Sequence, residues 1–268
     1  MNNEEIKNLL LTIEDAPQEF SVVLSGKKSA KVNGLYKTDT REIIIHNKNF
    51  LQDGSTNQNL LIYTAIHEYA HHLHACKRGG KLSSRSHTTE FWAIFHNLLE
   101  KAEKLKLYKN TISESPELLK LTERIREKFL TENGKLVKEL GNELKNAFDI
   151  CKDIGVRFED YIDRVLCIPR LAARTAMKIS QYDFPPELGS DNMRFLAGIS
   201  NDDDRKMSER ALLAGKSPDT VKMNLREGKT AEEDTKVSLE KEKARLERTI
   251  DTLNKRLDEI MRELDSID

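Results

Sequence analysis

From residue 113 to the C-terminus no stretch alternates apolar and polar residues as a half-buried strand must, so more than half of this 268-residue chain is expected to be helix. Ser115-Pro116 is a good helix start, with Pro at the first helical position, and places a domain boundary near residue 112. The periodicity predicts helices at about 117–131, 134–154, 158–166, 170–181, 191–199, 202–214 and 217–226, separated by Gly155, Pro169, Pro185-Pro186, Gly189 and Gly215. Leu239, Leu246, Ile250, Leu253, Leu257, Ile260, Leu264 and Ile267 then recur in steps of four and three, with Lys243 in one core slot. That is a heptad pattern, so residues 231–268 are expected to form a coiled coil and to support a homo-oligomer.

The first 112 residues differ. An amphipathic helix over about residues 3–12 precedes "FSVVL" (20–24), and two further short β-like runs follow, the last being the β-branched "REIIIH" (41–46). Two long helices close the segment: one from about Leu60 to Cys76, stopped by Gly79-Gly80, and one over 88–108. The expected fold is therefore an α+β N-terminal domain (1–112), an all-α domain (113–230) and a coiled coil (231–268). With 44 Lys+Arg against 45 Asp+Glu, overall charge points to no partner, and any basic surface has to be local. No run approaches the roughly 18 apolar residues of a membrane span, and the acidic start "MNNEEIKNLL" is unlike a secretory signal. A cytoplasmic location is expected. Cys76, Cys151 and Cys167 form no CxxC pattern, which argues against a disulfide framework and against a thiolate zinc cluster.

Five of the seven histidines fall within "AIHEYAHHLHACKRGGKLSSRSHTTEFW" (65–92). His67-Glu68-Tyr69-Ala70-His71 is an HExxH motif on a predicted helix, where a step of four puts His67 and His71 one turn apart on one face. Both imidazoles can then reach a single Zn²⁺, with Glu68 placed to accept a proton from water. A catalytic zinc needs a third protein ligand and an open position, and it lowers the pKa of a water there from about 15.7 to about 7. His87 and Glu90 both lie at the start of the next helix. His74 sits about 10 Å along the axis from His67, too far to share the ion. His72, His74 and His96 read as packing or surface residues.

The segment "SHTTEFW" resembles the third-ligand segment of the SprT-like and YgjP-like metallopeptidases, in which a His precedes an aromatic pair. That resemblance covers about residues 20–108 and implies a zincin-like fold, a small sheet packed on the HExxH helix. It implies zinc-dependent hydrolysis of a protein substrate, with His67, His71 and His87 as ligands and Glu68 as the catalytic residue. Glu90 is the runner-up ligand, by analogy with minigluzincin-type and ImmA/IrrE-type proteins. In these families the strand before the zinc helix is an edge that pairs with substrate; residues 41–46 are either that edge or an interior strand. Tyr63, Tyr69, His96 and Tyr108 are the candidates for stabilising an oxyanion.

In the helical half, "FEDYIDRVLCIPRLAARTAMKISQY" (158–182) has the pattern of a helix-turn-helix. Arg170, Arg174 and Lys178 are spaced by four, a basic stripe able to follow DNA phosphates. Residues 191–227 loosely resemble the helical units behind the helix-turn-helix of ParB/KorB-type proteins, which implies DNA as a partner. The alternative to a protease is a DNA-binding regulator or partition-type adaptor in which the HExxH domain is not catalytic.

Overall fold

The β-branched run at 41–46 ends up in the middle of the sheet. A computed structural model describes residues 1–52, 55–80, 86–227, 243, 247 and 250, and shows a mostly helical chain with one three-stranded sheet. Helix α1 (Asn3–Ile13) starts at a capping box, in which the Asn2 side chain accepts from the Glu5 N–H and the Glu5 carboxylate accepts from the Asn2 N–H. Strands β1 (Ser21–Leu24), β2 (Gly34–Lys37) and β3 (Glu42–Ile45) follow. The sheet order is β1-β3-β2, with β1 parallel and β2 antiparallel to β3. The register pairs Val22 and Tyr36 with Ile43, so β3 is covered on both edges and β2 is an edge. Residues 41–46 are thus the interior strand; a run of consecutive β-branched residues suits a position flanked on both sides.

Helix α2 (Gln58–Lys77) packs across this sheet, capped by the Asn57 side chain, which accepts from the Leu60 N–H. Leu61, Ala65, Ile66, Tyr69 and Ala70 are buried and join Ile6, Leu10, Ile43, Ile45 and Phe50 in one core. Helix α3 (Thr89–Lys104) lies antiparallel on α2 and adds Phe91, Phe95, Leu98 and Ala102 to that core. It ends four residues earlier than its periodicity suggests, and Lys106 just beyond takes the left-handed conformation (φ 59°).

Beyond residue 113 the described residues are helical. Helix α4 (Pro116–Ile125) runs through a π-helical segment, Arg126–Thr131, directly into α5 (Glu132–Asp153). The break expected near residue 133 does not occur. Gly134 there is a packing residue and not a terminator, because a Cβ would lie 2.3 Å from the Pro186 carbonyl oxygen. Helix α6 (Phe158–Tyr161) continues as a π-helical segment, Ile162–Leu166. Helices α7 (Arg170–Ile179), α8 (Gly189–Ala197), α9 (Asp202–Leu213) and α10 (Pro218–Glu227) complete the described chain. Two small cores serve this part: Leu144, Ile162, Ala173 and Ala176, and a second around Phe184, Met193 and Leu196.

By density of contacts, Met1–Met223 is one unit and Asn224–Asp268 another, so the expected boundary at 112 lies inside the first. Contacts that cross it include Ser217 Oγ, 2.9 Å from His96 Nδ1, and the pairing of Lys216 with Glu100. Among the described residues no helix is long and apolar enough to cross a membrane. Most of the heptad seam expected over 231–268 lies outside the described residues; Lys243, Glu247 and Ile250 are helical and exposed.

Helices α5 and α7 approach closely at Gly141, where a Cβ would sit 2.2 Å from the Ala176 carbonyl oxygen. Backbone cannot yield as a side chain can, so Gly141→Ala is expected to destabilise the fold by about 1–3 kcal/mol. Urea unfolding measures this; an unchanged midpoint would contradict the close approach.

Candidate metal centre

Helix α2 buries one face on the sheet and turns Tyr63, His67 and His71, spaced by four, toward α3. The N-terminus of α3 is capped by Thr88, whose hydroxyl accepts from the Phe91 N–H at 3.3 Å, and His87 immediately precedes that cap. Antiparallel packing carries His87 over the two α2 imidazoles. His67 Nε2 and His87 Nε2 are 3.1 Å apart, and one nitrogen from each of His67, His71 and His87 lies within 4.8 Å of the other two. Nitrogens around a tetrahedral ion at about 2.0–2.1 Å stand roughly 3.3 Å apart, so the cluster fits one Zn²⁺-sized cation with little movement.

The surroundings favour the ligating form. Burial, and next the nearby His87, lower the pKa of His67 to about 4; burial, and then His67, His87 and His74, lower that of His71 to about 3. The ring of Phe91 stacks on His71 at 4.3 Å, and Trp92 stacks on His87 at 5.5 Å. At 3.1 Å either His67 or His87 can donate to the other, and a bound cation would take the place of that shared proton and use the lone pairs of the converging nitrogens.

Glu68, 6% exposed, lies beneath the edge strand. A Cβ at Gly34 would come within 2.9 Å of Glu68 Cγ and 3.0 Å of its Oε1, so only glycine lets β2 pass this close. Burial pushes the Glu68 pKa up to about 7. A cleft of about 440 Å³ opens over these groups, lined by residues 32–36 of the edge-strand segment, by Tyr63, Thr64, His67, Glu68 and His71 of α2, and by Ser86 and His87.

Glu90 stands apart from the three histidines. Its carboxylate is 3.3 Å from His74 Nε2, 3.5 Å from Lys77 Nζ and 3.2 Å from Arg78 Nε. His74, 1% exposed, also reaches the Thr88 hydroxyl at 3.4 Å. These contacts clamp the first turn of α3 to the last turns of α2, beside His87. His72 is buried too: its Nε2–H donates to the Gln18 carbonyl at 3.0 Å, leaving Nδ1 to accept from Tyr36 OH at 3.0 Å. Of the residues considered for an oxyanion, Tyr63 lines the cleft. Tyr69 is buried and donates to the Glu14 carbonyl at 2.7 Å, and His96 and Tyr108 line a separate cavity. Gly34 and Tyr36 escape a reading by motif; their only signal is a glycine at the mouth of a short strand that precedes an HExxH helix.

The basic stripe of α7 is partly neutralised. Arg170 Nε donates to both Asp163 carboxylate oxygens at 2.9 and 3.0 Å, Arg174 lies 3.8 Å from Glu159, and Lys178 is exposed. Both acids come from the preceding helical turns.

Comparison of the chain with protein-family models, with curated proteins and with solved structures finds no match.

The placement of His87 and Glu90 separates their roles. His87→Ala is expected to weaken Zn²⁺ binding by far more than tenfold, and Glu90→Ala, which loosens the clamp only, by about 10–100-fold. Competition with a chromophoric chelator reads both; the reverse order would make Glu90 the ligand.

Proposed function

We propose that this chain is a zinc-dependent peptide hydrolase, acting at the cleft between β2 and α2. The observation that carries the reading is the convergence of His67, His71 and His87 nitrogens next to the buried Glu68 carboxyl. Three imidazoles with an open side match a catalytic zinc site, whereas structural sites are closed by four ligands. The fold reading that goes with it is zincin-like: a small sheet packed on the HExxH helix, with the β2 edge facing the cleft.

When bound, zinc supplies a Lewis acid that polarises the scissile carbonyl and acidifies the attacking water. Glu68 is the general base. Its Oε1 takes a proton from that water as the new C–O bond forms, and returns it to the amide nitrogen as the C–N bond breaks. Burial beside Gly34 fixes the carboxyl in place, and a neighbouring dication favours its charged, proton-accepting form. The free edge of β2 offers backbone N–H and C=O groups with which an extended peptide can pair across the cleft. Phe91 packs on His67 and His71 and contributes to the burial that disfavours their protonation.

Two variants test the reading. Glu68→Gln is expected to keep Zn²⁺ binding and to lower cleavage of a peptide mixture by about 10²–10⁴-fold, the usual worth of a positioned general base. Retention of cleavage in that variant would remove Glu68 from the chemistry. Binding of zinc without cleavage of any peptide would instead favour a metal-responsive regulator. Gly34→Ala forces Glu68 or the edge strand to shift; cleavage should fall at least tenfold while zinc binding holds, because a displacement of about 1 Å is enough to cost 10²-fold.

A further inference from the structure

One helical turn toward the start of α2 from His67, a second cavity of about 510 Å³ opens between α3 and the turn joining α9 to α10. Its walls include Tyr63, Trp92, Phe95, Leu99, Tyr108 and Ile112. Tyr63 lines this cavity and the cleft alike. Rings line the border of the two spaces: His67 lies 5.1 Å from Phe95 and 6.4 Å from Trp92, and Tyr63 packs on Phe95 at 5.3 Å and on Tyr108 at 5.9 Å.

The main polar groups around the cavity are engaged with one another. His96 Nδ1 meets Ser217 Oγ at 2.9 Å, Ser217 Oγ meets Thr220 Oγ1 at 2.9 Å, and Lys216 pairs with Glu100. The aromatic and aliphatic walls have no such partner inside the cavity, and Ile112 at its margin is 63% exposed. Half of the lining residues are polar or charged, and the aromatic and aliphatic residues make up the rest; it is this apolar part, next to Tyr63, that suits an apolar group.

We propose that this cavity is a specificity subsite that takes a large apolar, preferably aromatic, side chain of the peptide substrate. The assignment rests on the hydrolase reading above. Its reach fits: an extended peptide advances about 3.3 Å per residue and a helical turn about 5.4 Å, so a side chain one or two residues from the scissile bond arrives at Tyr63. The subsite is shared between both parts of the first unit, because α3 supplies one wall and the 214–220 segment the other. Substrate preference is therefore set in part by residues more than a hundred positions from the HExxH motif.

Trp92 is the only tryptophan of the chain, so its emission reports on the cavity. The zinc-loaded full chain carrying Glu68→Gln is titrated with acetylated, amidated glycine pentapeptides containing one Phe or one Ala. The Phe peptide is expected to shift the emission and to bind at least about tenfold more tightly, from burial of the ring. Adding Ala214→Phe, an exposed rim position whose ring would fill the cavity without adding a tryptophan, should abolish that advantage with zinc content unchanged. In parallel, the products of a random peptide mixture cut by the wild-type protein should be enriched in Phe, Tyr, Trp or Leu within two residues of the cleaved bond. Cleavage without that enrichment, or a Phe advantage that survives Ala214→Phe, overturns the subsite and leaves the hydrolase standing. If no peptide is cut, the hydrolase reading fails, and equal binding of the Phe and Ala peptides then removes the subsite as well.

Discussion

Closure of the histidine cluster by His87 depends on the clamp between the end of α2 and the start of α3. His74, Lys77 and Arg78 converge on Glu90, and His74 also touches the Thr88 cap. His87 is separated by 16 positions from His71 and lies on a different segment, so ordering it beside its partners costs loop-closure entropy. A carboxylate bonded to three bases at one helix end offsets part of that cost, and it anchors His87 through a rigid helical turn. The clamp also explains why Glu90 is poorly placed to serve as a ligand: its oxygens already face cations on the neighbouring helix.

A second constraint is the burial of Glu68 and His71 beside the partly buried His67, with His87 exposed at the open side. Burial lowers proton affinity at His67 and His71 and raises it at Glu68. Low dielectric acts in opposite directions on the two residue types because it penalises charge in both. A dication at the histidines is the simplest single change that satisfies them together: it uses the neutral nitrogens and favours the ionised carboxylate. Gly34 makes the arrangement possible, since any side chain there would push the strand off the acid.

How much of this could be read in advance depended on how local each signal was. Helix periodicity and the HExxH spacing are local, and the segments expected at 3–12, 20–24, 41–46 and 170–181 correspond to α1, β1, β3 and α7 within one to three residues. The break expected between 131 and 134 was not found, and the use of Gly134, close approach to the Pro186 carbonyl, involves a segment fifty residues away. Strand order also escaped: a β-branched run says that 41–46 is a strand but not which neighbours flank it. The basic stripe of α7 looked free of acids because Glu159 and Asp163 sit just before the stretch that carries it, and only the turn at Cys167 folds them back onto Arg170 and Arg174.

By itself, then, the sequence determined the mostly helical character, the small β element ahead of the histidine helix, and the pairing of His67 with His71, since these follow from spacings of two or four along one backbone. Tertiary structure alone decided that His87 and not Glu90 closes the histidine cluster, that β2 is the free edge above Glu68, and that an aromatic cavity adjoins the cleft. Those facts arise from the angle and register at which separate segments pack, which is a sum of many contacts between distant residues and leaves no periodic mark in the chain.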